Sequence, residues 1–298
     1  MDRNSPNTLI GETESKRPVS SESIFRRTIG IVGGLGPYAH IELERLLLRH
    51  AARYLGHAPC DQEYPEWIVS SIPGTPDRTE AIRNDGQSPV PWIERSLKRL
   101  EGSPPSPGAD FAMIACVTAH AYIDELKRLT RIPILNIVRE TLVKSTRTPG
   151  ISTIGLLATT GTLQARVFEK EAERAGLEFS SISLLDLPEG SALQEELVMN
   201  AIYGPPGKQG QRSGGIKSGL SEDSARNRQL TRPLRSAVRC LTEAGADMVL
   251  IACTEIPLAI GRGPVDGIPL LDPLDVAAEA AIQIAAGSRP LPSDTEST

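Results

Sequence analysis

No stretch of the 298-residue chain approaches the roughly 20 consecutive apolar residues that a bilayer-spanning helix requires, and the first residues lack the apolar centre of a secretory signal. The expected setting is the cytoplasm, away from any membrane. Positive charge is in short supply: 32 Lys and Arg stand against 37 Asp and Glu, for a net charge of −5. A broad nucleic-acid footprint needs clustered cations to neutralise phosphates, so no nucleic-acid partner is expected. An anionic small molecule held by a few buried cations remains open. Cysteine is sparse, with four residues and no dense spacing, which argues against a disulfide framework and for free thiols. Cys116 and His120 lie four apart, yet no further ligands at zinc spacing accompany them. No metal is expected, and His120 reads as a helix-start or packing residue. The turn from Gly33 to Pro37 lacks the second half of a dinucleotide fingerprint and the Gly-Lys-Ser/Thr ending of a P-loop.

What is there is the composition of an ordinary globular chain, with 39% hydrophobic and 23% charged residues, long enough for one large domain or two of common size. Residues 1–27 are rich in Ser, Glu, Arg and Asn and poor in large apolar side chains, which predicts a disordered tail. A second polar, proline-containing tail is expected over 288–298. Between them, short apolar runs alternate with helical patterns, the signature of βαβ units and a mostly parallel sheet. Strands are predicted at 28–32, 67–72, 111–115, 132–137, 153–157, 180–184, 248–252 and 268–271. Helices are predicted at 37–54, 90–100, 120–129, 139–145, 162–175, 193–202, 225–244 and 274–285.

The chain repeats itself. Thr28-Ile29-Gly30-Ile31-Val32 is echoed by Thr153-Ile154-Gly155-Leu156-Leu157, Ile114-Ala115-Cys116 by Ile251-Ala252-Cys253, and Ile132-Pro133-Ile134-Leu135 by Ile268-Pro269-Leu270-Leu271, in the same order both times. Gly30 and Cys116 are 86 positions apart, Gly155 and Cys253 98 apart, and the surplus of 12 has a ready source in the Gly/Pro/Lys/Gln-rich stretch 204–215, read as an inserted surface loop. The expected architecture is α/β, with two pseudo-symmetric units, each a mostly parallel sheet flanked by helices, and an active site in the cleft between them.

Ligands of open parallel sheets bind beyond the carboxyl ends of the strands. Cys116 and Cys253 each follow an apolar strand run and precede polar residues, so a pseudo-dyad would place one thiol on each side of a bound molecule. That arrangement suits stereoinversion, in which one residue removes a proton from one face of a carbon and the other delivers a proton to the opposite face. A thiol serves both roles, because its unperturbed pKa of about 8.5 is close to working pH and easily shifted. Free cysteine is also among the most buried residue types, so either residue alone would read as core. The matched pair points to chemistry. Cys60 and Cys240 have no such symmetry and are read as structural.

These residues sit within a set of motifs that resembles the aspartate/glutamate racemase family, and its aspartate racemase branch in particular, from Thr28 to about Ala286. The motifs are Gly33-Gly34-Leu35-Gly36-Pro37, Pro76-Asp77-Arg78-Thr79, Cys116 with Thr118-Ala119-His120, Ala158-Thr159-Thr160-Gly161-Thr162, Ile202-Tyr203, Ile216-Lys217-Ser218-Gly219, and Cys253-Thr254-Glu255-Ile256-Pro257. The resemblance implies a two-domain α/β fold with one catalytic cysteine from each domain, no cofactor, and a homodimer. It implies that the domain limits cross over, giving a first domain of 28–131 plus 268–287 and a second of 132–267. The family's carboxylate-binding positions fall on Arg78, Thr118, Thr160 and Lys217. An Arg fork suits bidentate grip of one carboxylate of an acidic amino acid, and Lys supplies a compact second charge. The backbone of Gly34, Leu35 and Gly36, at the start of a helix, is a further substrate-facing group, with Thr254 and Val117. Val117 stands where the family commonly has Asn, so an apolar group replaces an amide beside the first cysteine.

The expected function is cofactor-independent racemisation of an acidic amino acid, aspartate or glutamate, by two-cysteine acid/base chemistry. Two alternatives stand beside it. One is cis-trans isomerisation or decarboxylation of a small dicarboxylate on the same scaffold, and the other is a non-catalytic amino-acid-binding module.

Overall fold

The computed structural model describes residues 24–83, 86–103, 105–207, 212–219 and 224–292. Ten strands are found among them: β1 (Ile29–Gly33), β2 (Trp67–Ser71), β3 (Gly102–Ser103), β4 (Ser106–Pro107), β5 (Phe111–Ile114), β6 (Ile134–Leu135), β7 (Ile154–Ala158), β8 (Ser181–Ser183), β9 (Met248–Ala252) and β10 (Leu270–Leu271). All but β3 and β4, a short antiparallel pair outside both sheets, belong to two parallel sheets of four, ordered β2-β1-β5-β6 and β8-β7-β9-β10. Counted from the start of each half, the two orders are the same, so the repeat in the sequence is a repeat in topology. β1, β7 and β9 are apolar without alternation and buried along their whole length, as central strands covered on both faces must be. β2 and β10 at the sheet edges are partly exposed.

All eight predicted strands are present, with ends shifted by a few residues. The helix predicted at 162–175 is broken into Thr160–Gln164 and Val167–Ala175 by Arg166, which takes a left-handed conformation at φ 52°. The helix predicted at 193–202 runs over 190–203, and its middle, Gln194–Met199, is π-wound. Two five-residue helices, Arg78–Ile82 and Ile256–Ile260, were not anticipated. Among the described residues no helix is long and apolar enough to cross a membrane.

The crossover between the halves differs from the expected one. β6 does not leave for the second sheet: Ala112 and Met113 of β5 pair with Ile134 and Leu135. β10 does not return to the first sheet either, since it pairs with Val249 and Leu250 of β9. The helices after these strands are what cross. Helix Ile137–Thr146 packs on Val167–Ala175 of the second half, and Pro273–Ala285 packs on Pro37–Leu55 of the first. Limits at Ile132 and Ile268 are therefore too early, because each terminal strand is held by the ladder of its own sheet. The two crossing points are equivalent in the repeat and both are helix N-caps: Asn136 accepts from the amides of Val138 and Arg139, and Asp272 from the amide of Leu274.

The described parts of the two predicted tails, residues 24–27 and 288–292, make defined contacts. Residues 1–23 and 293–298 lie outside the described residues, but Phe25 is buried in the core, and the amides of Arg26 and Arg27 donate to the Ala285 carbonyl. Arg289, assigned to the second tail, makes a two-bond contact with Glu140 at 2.6 and 2.7 Å. The Arg27 guanidinium also donates to the carbonyls of Ile284 and Arg289 at 3.0 and 2.9 Å, so the two segments hold each other. Of the inserted stretch, 208–211 with Lys208 lies outside the described residues. Its two ends meet through a bridge between Pro206 and Arg212, and Arg212 is tied to Glu195 of the π-wound turn.

Asp272 is buried, and burial pushes its carboxyl up to about 6 against the pull of the Arg262 guanidinium 2.7 Å away. A carboxyl with a raised folded-state pKa contributes most stability below its unfolded value of about 3.9 and loses it as pH rises through the folded value. The unfolding free energy of the native chain, compared with Asp272→Asn, is therefore expected to fall by on the order of 3 kcal/mol between pH 4 and pH 7. Denaturant titrations of the two proteins at several pH values measure this. A difference that rises with pH would contradict it.

Candidate active site

The carboxyl ends of β5 and β9 release the chain into Cys116 and Cys253, and both thiols line one small enclosed cavity with Arg78, Val117, Thr118, Thr159, Tyr203, Lys217, Thr254 and Glu255. Cys116 is 6% and Cys253 5% exposed, and both are free cysteines. The cavity volume is about 10 Å³, room for about one water molecule. The cleft is thus closed around its own polar groups.

Arg78 begins the short helix that Asp77 caps through the amides of Thr79 and Glu80. Its guanidinium donates to the carbonyl of Leu35 and, at 3.0 Å, to that of Pro76, while its Nε is buried without a hydrogen-bond partner. Burial opposes its charge, but the neighbouring Cys116, Asp77 and Tyr203 outweigh this and push its pKa further up. A permanently charged fork, incompletely satisfied and beside a thiol, is a seat for a carboxylate or a thiolate.

Cys253 faces a different environment. Its Sγ donates to Glu255 Oε2 at 3.3 Å, and the Thr254 hydroxyl donates to the same oxygen at 3.1 Å. The other carboxylate oxygen, Oε1, accepts from Lys217 Nζ at 3.3 Å. Lys217 also lies 5.2 Å above the Tyr203 ring, whose hydroxyl donates to Asp77 Oδ2 at 3.0 Å. Burial, then the Glu255 charge, raise the Cys253 thiol well above the ordinary range, with Lys217 opposing them. For Lys217 burial acts downward, but Glu255 prevails and the ammonium is held protonated. Burial would raise Glu255, yet Lys217 and the Cys253 hydrogen bond keep its carboxyl below the usual value.

The turn after β1 closes this side. Gly36 has φ 131°, and a Cβ there would overlap Glu255 Oε1. Gly34, at φ 81°, would clash with the backbone of Ile72. The pair lets the chain pass against the site at conformations that disfavour other residues. Opposite, the hydroxyls of Thr118, Thr159 and Thr162 form a buried triangle, with Thr118 Oγ1 at 3.2 and 2.8 Å from the other two. His120 is buried in the turn Thr118–Tyr122, and its Nδ1 lies 2.9 Å from the Cys116 carbonyl. Burial lowers its pKa to about 4, so near neutral pH it is an uncharged strut that fixes the Cys116 backbone.

Of the residues singled out in the sequence, Cys116, Cys253, Arg78, Val117, Thr118, Lys217 and Thr254 share the cavity wall. Leu35 and Gly36 stand behind it, holding Arg78 and flanking Glu255, and Gly34 precedes them in the same turn. Thr160 is not in the wall: its amide donates to Met199 Sδ, and its neighbour Thr159 faces the cavity instead. Glu255, Tyr203 and Thr159 were missed as site residues, although each lies in a quoted motif. Glu255, a carboxylate two after a strand-end cysteine in a chain whose only other cleft charges are cations, carried the clearest signal.

Fold and site together define a two-repeat α/β protein in which each repeat contributes a buried thiol to a shared cleft lined by Arg and Lys. The Asp/Glu/hydantoin racemase family profile matches residues 32–281, and the chain belongs to this family. The chain is 29% identical over 150 residues to the broad specificity amino-acid racemase RacX of Bacillus subtilis, a match covering 50% of this chain and 62% of that protein. Among solved structures it resembles Picrophilus torridus aspartate racemase, with a TM-score of 0.63 at 24% identity over 88% of this chain and 94% of the other. It also resembles a putative Asp/Glu racemase from Yersinia pestis, with a TM-score of 0.60 at 20% identity over 87% and 99%.

Proposed function

We propose that this protein racemises an acidic amino acid, aspartate before glutamate, using Cys116 and Cys253 as opposed acid and base and no cofactor. The observation that carries the reading is the meeting of two repeat-equivalent thiols at one buried cavity that also holds Arg78 and Lys217. The activity of RacX supports amino acids as the substrate class. One thiolate removes the Cα proton, leaving a carbanion with enediolate character, and the opposite thiol donates its proton to the other face. The developing charge on the α-carboxylate is met by donors already in place, Arg78 and the hydroxyls of Thr118 and Thr159, which need little reorganisation. Lys217 reaches a side-chain carboxylate only by sharing its charge with Glu255, so Arg78 is the principal anchor. Val117 adds an apolar wall to the site in place of an amide.

The test is α-proton exchange in D2O, followed by NMR over a panel of amino acids with no added cofactor, alongside maleate as a diacid control. Exchange and loss of optical activity with aspartate are expected, with glutamate slower and maleate unchanged. Absence of exchange with every amino acid would sink the proposal and leave a binding module, whereas loss of the maleate double-bond absorbance would favour a diacid isomerase. A homodimer and a cytoplasmic setting belong to the same reading. The second is supported by the need of two catalytic thiols for a reducing environment, and the first is tested by sedimentation.

A further inference from the structure

The two thiols are equivalent in the repeat but not in their surroundings. Cys116 shares the cavity wall with the guanidinium of Arg78. Cys253 is instead hydrogen-bonded through its proton to a buried carboxylate, Glu255 Oε2, at 3.3 Å. Glu255 is firmly placed: it is 2% exposed, its second oxygen is held by Lys217, and Thr254 shares the first. The first half of the repeat has no counterpart. Two positions after Cys116 stands Thr118, whose hydroxyl turns to Thr159 and Thr162.

We propose that Glu255 is a positioning residue that keeps the proton on Cys253, so that the resting enzyme has Cys253 as its acid and Cys116 as its base. This rests on the racemase reading given above. A carboxylate accepting a hydrogen bond from a thiol stabilises the protonated form, and its negative charge disfavours a second anion beside it. Every charged group facing Cys253 enters the balance: Glu255 favours the thiol, Lys217 opposes it, and Tyr203 is held neutral by burial and Asp77. Arg78 acts on Glu255 from across the cavity in the same sense as Lys217. In a forward turnover Cys116 thiolate takes the Cα proton and becomes a thiol, while Cys253 gives its proton to the opposite face and becomes a thiolate. The pair is then inverted. Restoring the resting state moves one proton from Cys116 back to Cys253 through solvent, and Glu255 biases that return. The two enantiomers thus need opposite protonation states, one the resting form and the other the inverted form that exists until this reset.

The assignment is tested without substrate. In the full chain carrying Cys60→Ser, Cys116→Ser and Cys240→Ser, the pH dependence of iodoacetamide alkylation reports Cys253 alone. A midpoint clearly above the ordinary thiol value of about 8.5 is expected, and one at or below it overturns the proposal. Adding Glu255→Gln should lower the midpoint by about one unit or more, with alkylation near neutral pH faster by about tenfold. Glu255→Asp, which keeps the charge, should restore part of the shift. A midpoint unmoved by Glu255→Gln in a protein of native circular dichroism would overturn the role of Glu255. Should that variant not fold, the midpoint of the triple-Ser protein decides. Failure of α-proton exchange in the native enzyme is a separate outcome, and it overturns the racemase reading while leaving the titration result in place.

Discussion

Cys116→Ala and Cys253→Ala are each expected to abolish inversion, with racemisation falling by about a hundredfold to ten-thousandfold, the range a positioned acid or base supplies. The two variants should fail differently. A remaining thiolate can still remove a proton from the face it addresses and return a deuteron from D2O to that same face, which exchanges the α-hydrogen without inverting the carbon. Each variant is therefore expected to exchange one enantiomer only, the two variants opposite enantiomers, with Cys116→Ala the slower of the two because Glu255 holds the proton on its remaining thiol, Cys253. Proton NMR with chiral chromatography on the same samples separates exchange from inversion. Full racemisation by either variant would remove the paired-thiol mechanism. Both side chains are small and buried, so truncation to Ala removes one sulfur atom and leaves the fold intact.

Arg78→Ala is expected to lower kcat/KM by about a thousandfold, the equivalent of roughly 4 kcal/mol, which lies within the cost of deleting one partner of a buried, hydrogen-bonded charge pair. The loss has two sources. The substrate carboxylate loses its fork, and Cys116 loses the cation that shares its cavity wall. Arg78→Lys is expected to recover little, because an ammonium on a flexible stem cannot hold the Leu35 and Pro76 carbonyls and a planar carboxylate together. Steady-state kinetics on both variants, with thermal unfolding as a control, decides this. A Lys variant close to the native protein would show that charge alone matters and that the fork geometry does not.

The repeat, the eight sheet strands and the meeting of the two cysteines were legible because each rests on local composition. A buried central strand must be a short apolar run, and duplicated runs in the same order require duplicated units. What was not legible depends on contacts between distant segments. The helices Arg78–Ile82 and Ile256–Ile260 are too short to show a 3.6-residue period. The stretch 158–162 offers three threonines, and spacing alone does not say which faces the cleft. Thr159 does so because it is the N-cap of the helix that follows, with its hydroxyl accepting from the Thr162 amide, and this leaves Thr160 one step round. The crossover was misplaced because strand pairing is a property of two segments at once, and neither β6 nor β10 advertises its partner. Phe25 shows the converse, that a polar segment can be held by one buried aromatic together with hydrogen bonds from Arg26 and Arg27 to the distant 284–289 stretch.

The exchange of the final helices between the halves bears on how the molecule assembles. Ile137–Thr146 packs on Val167–Ala175, Pro273–Ala285 packs on Pro37–Leu55, and the two crossing helices pack on each other. A fragment ending at residue 150 would uncover the face of Pro37–Leu55 that packs on Pro273–Ala285 and leave helix Ile137–Thr146 without its partners Val167–Ala175 and Pro273–Ala285. The two fragments should be insoluble apart and should reconstitute when refolded together.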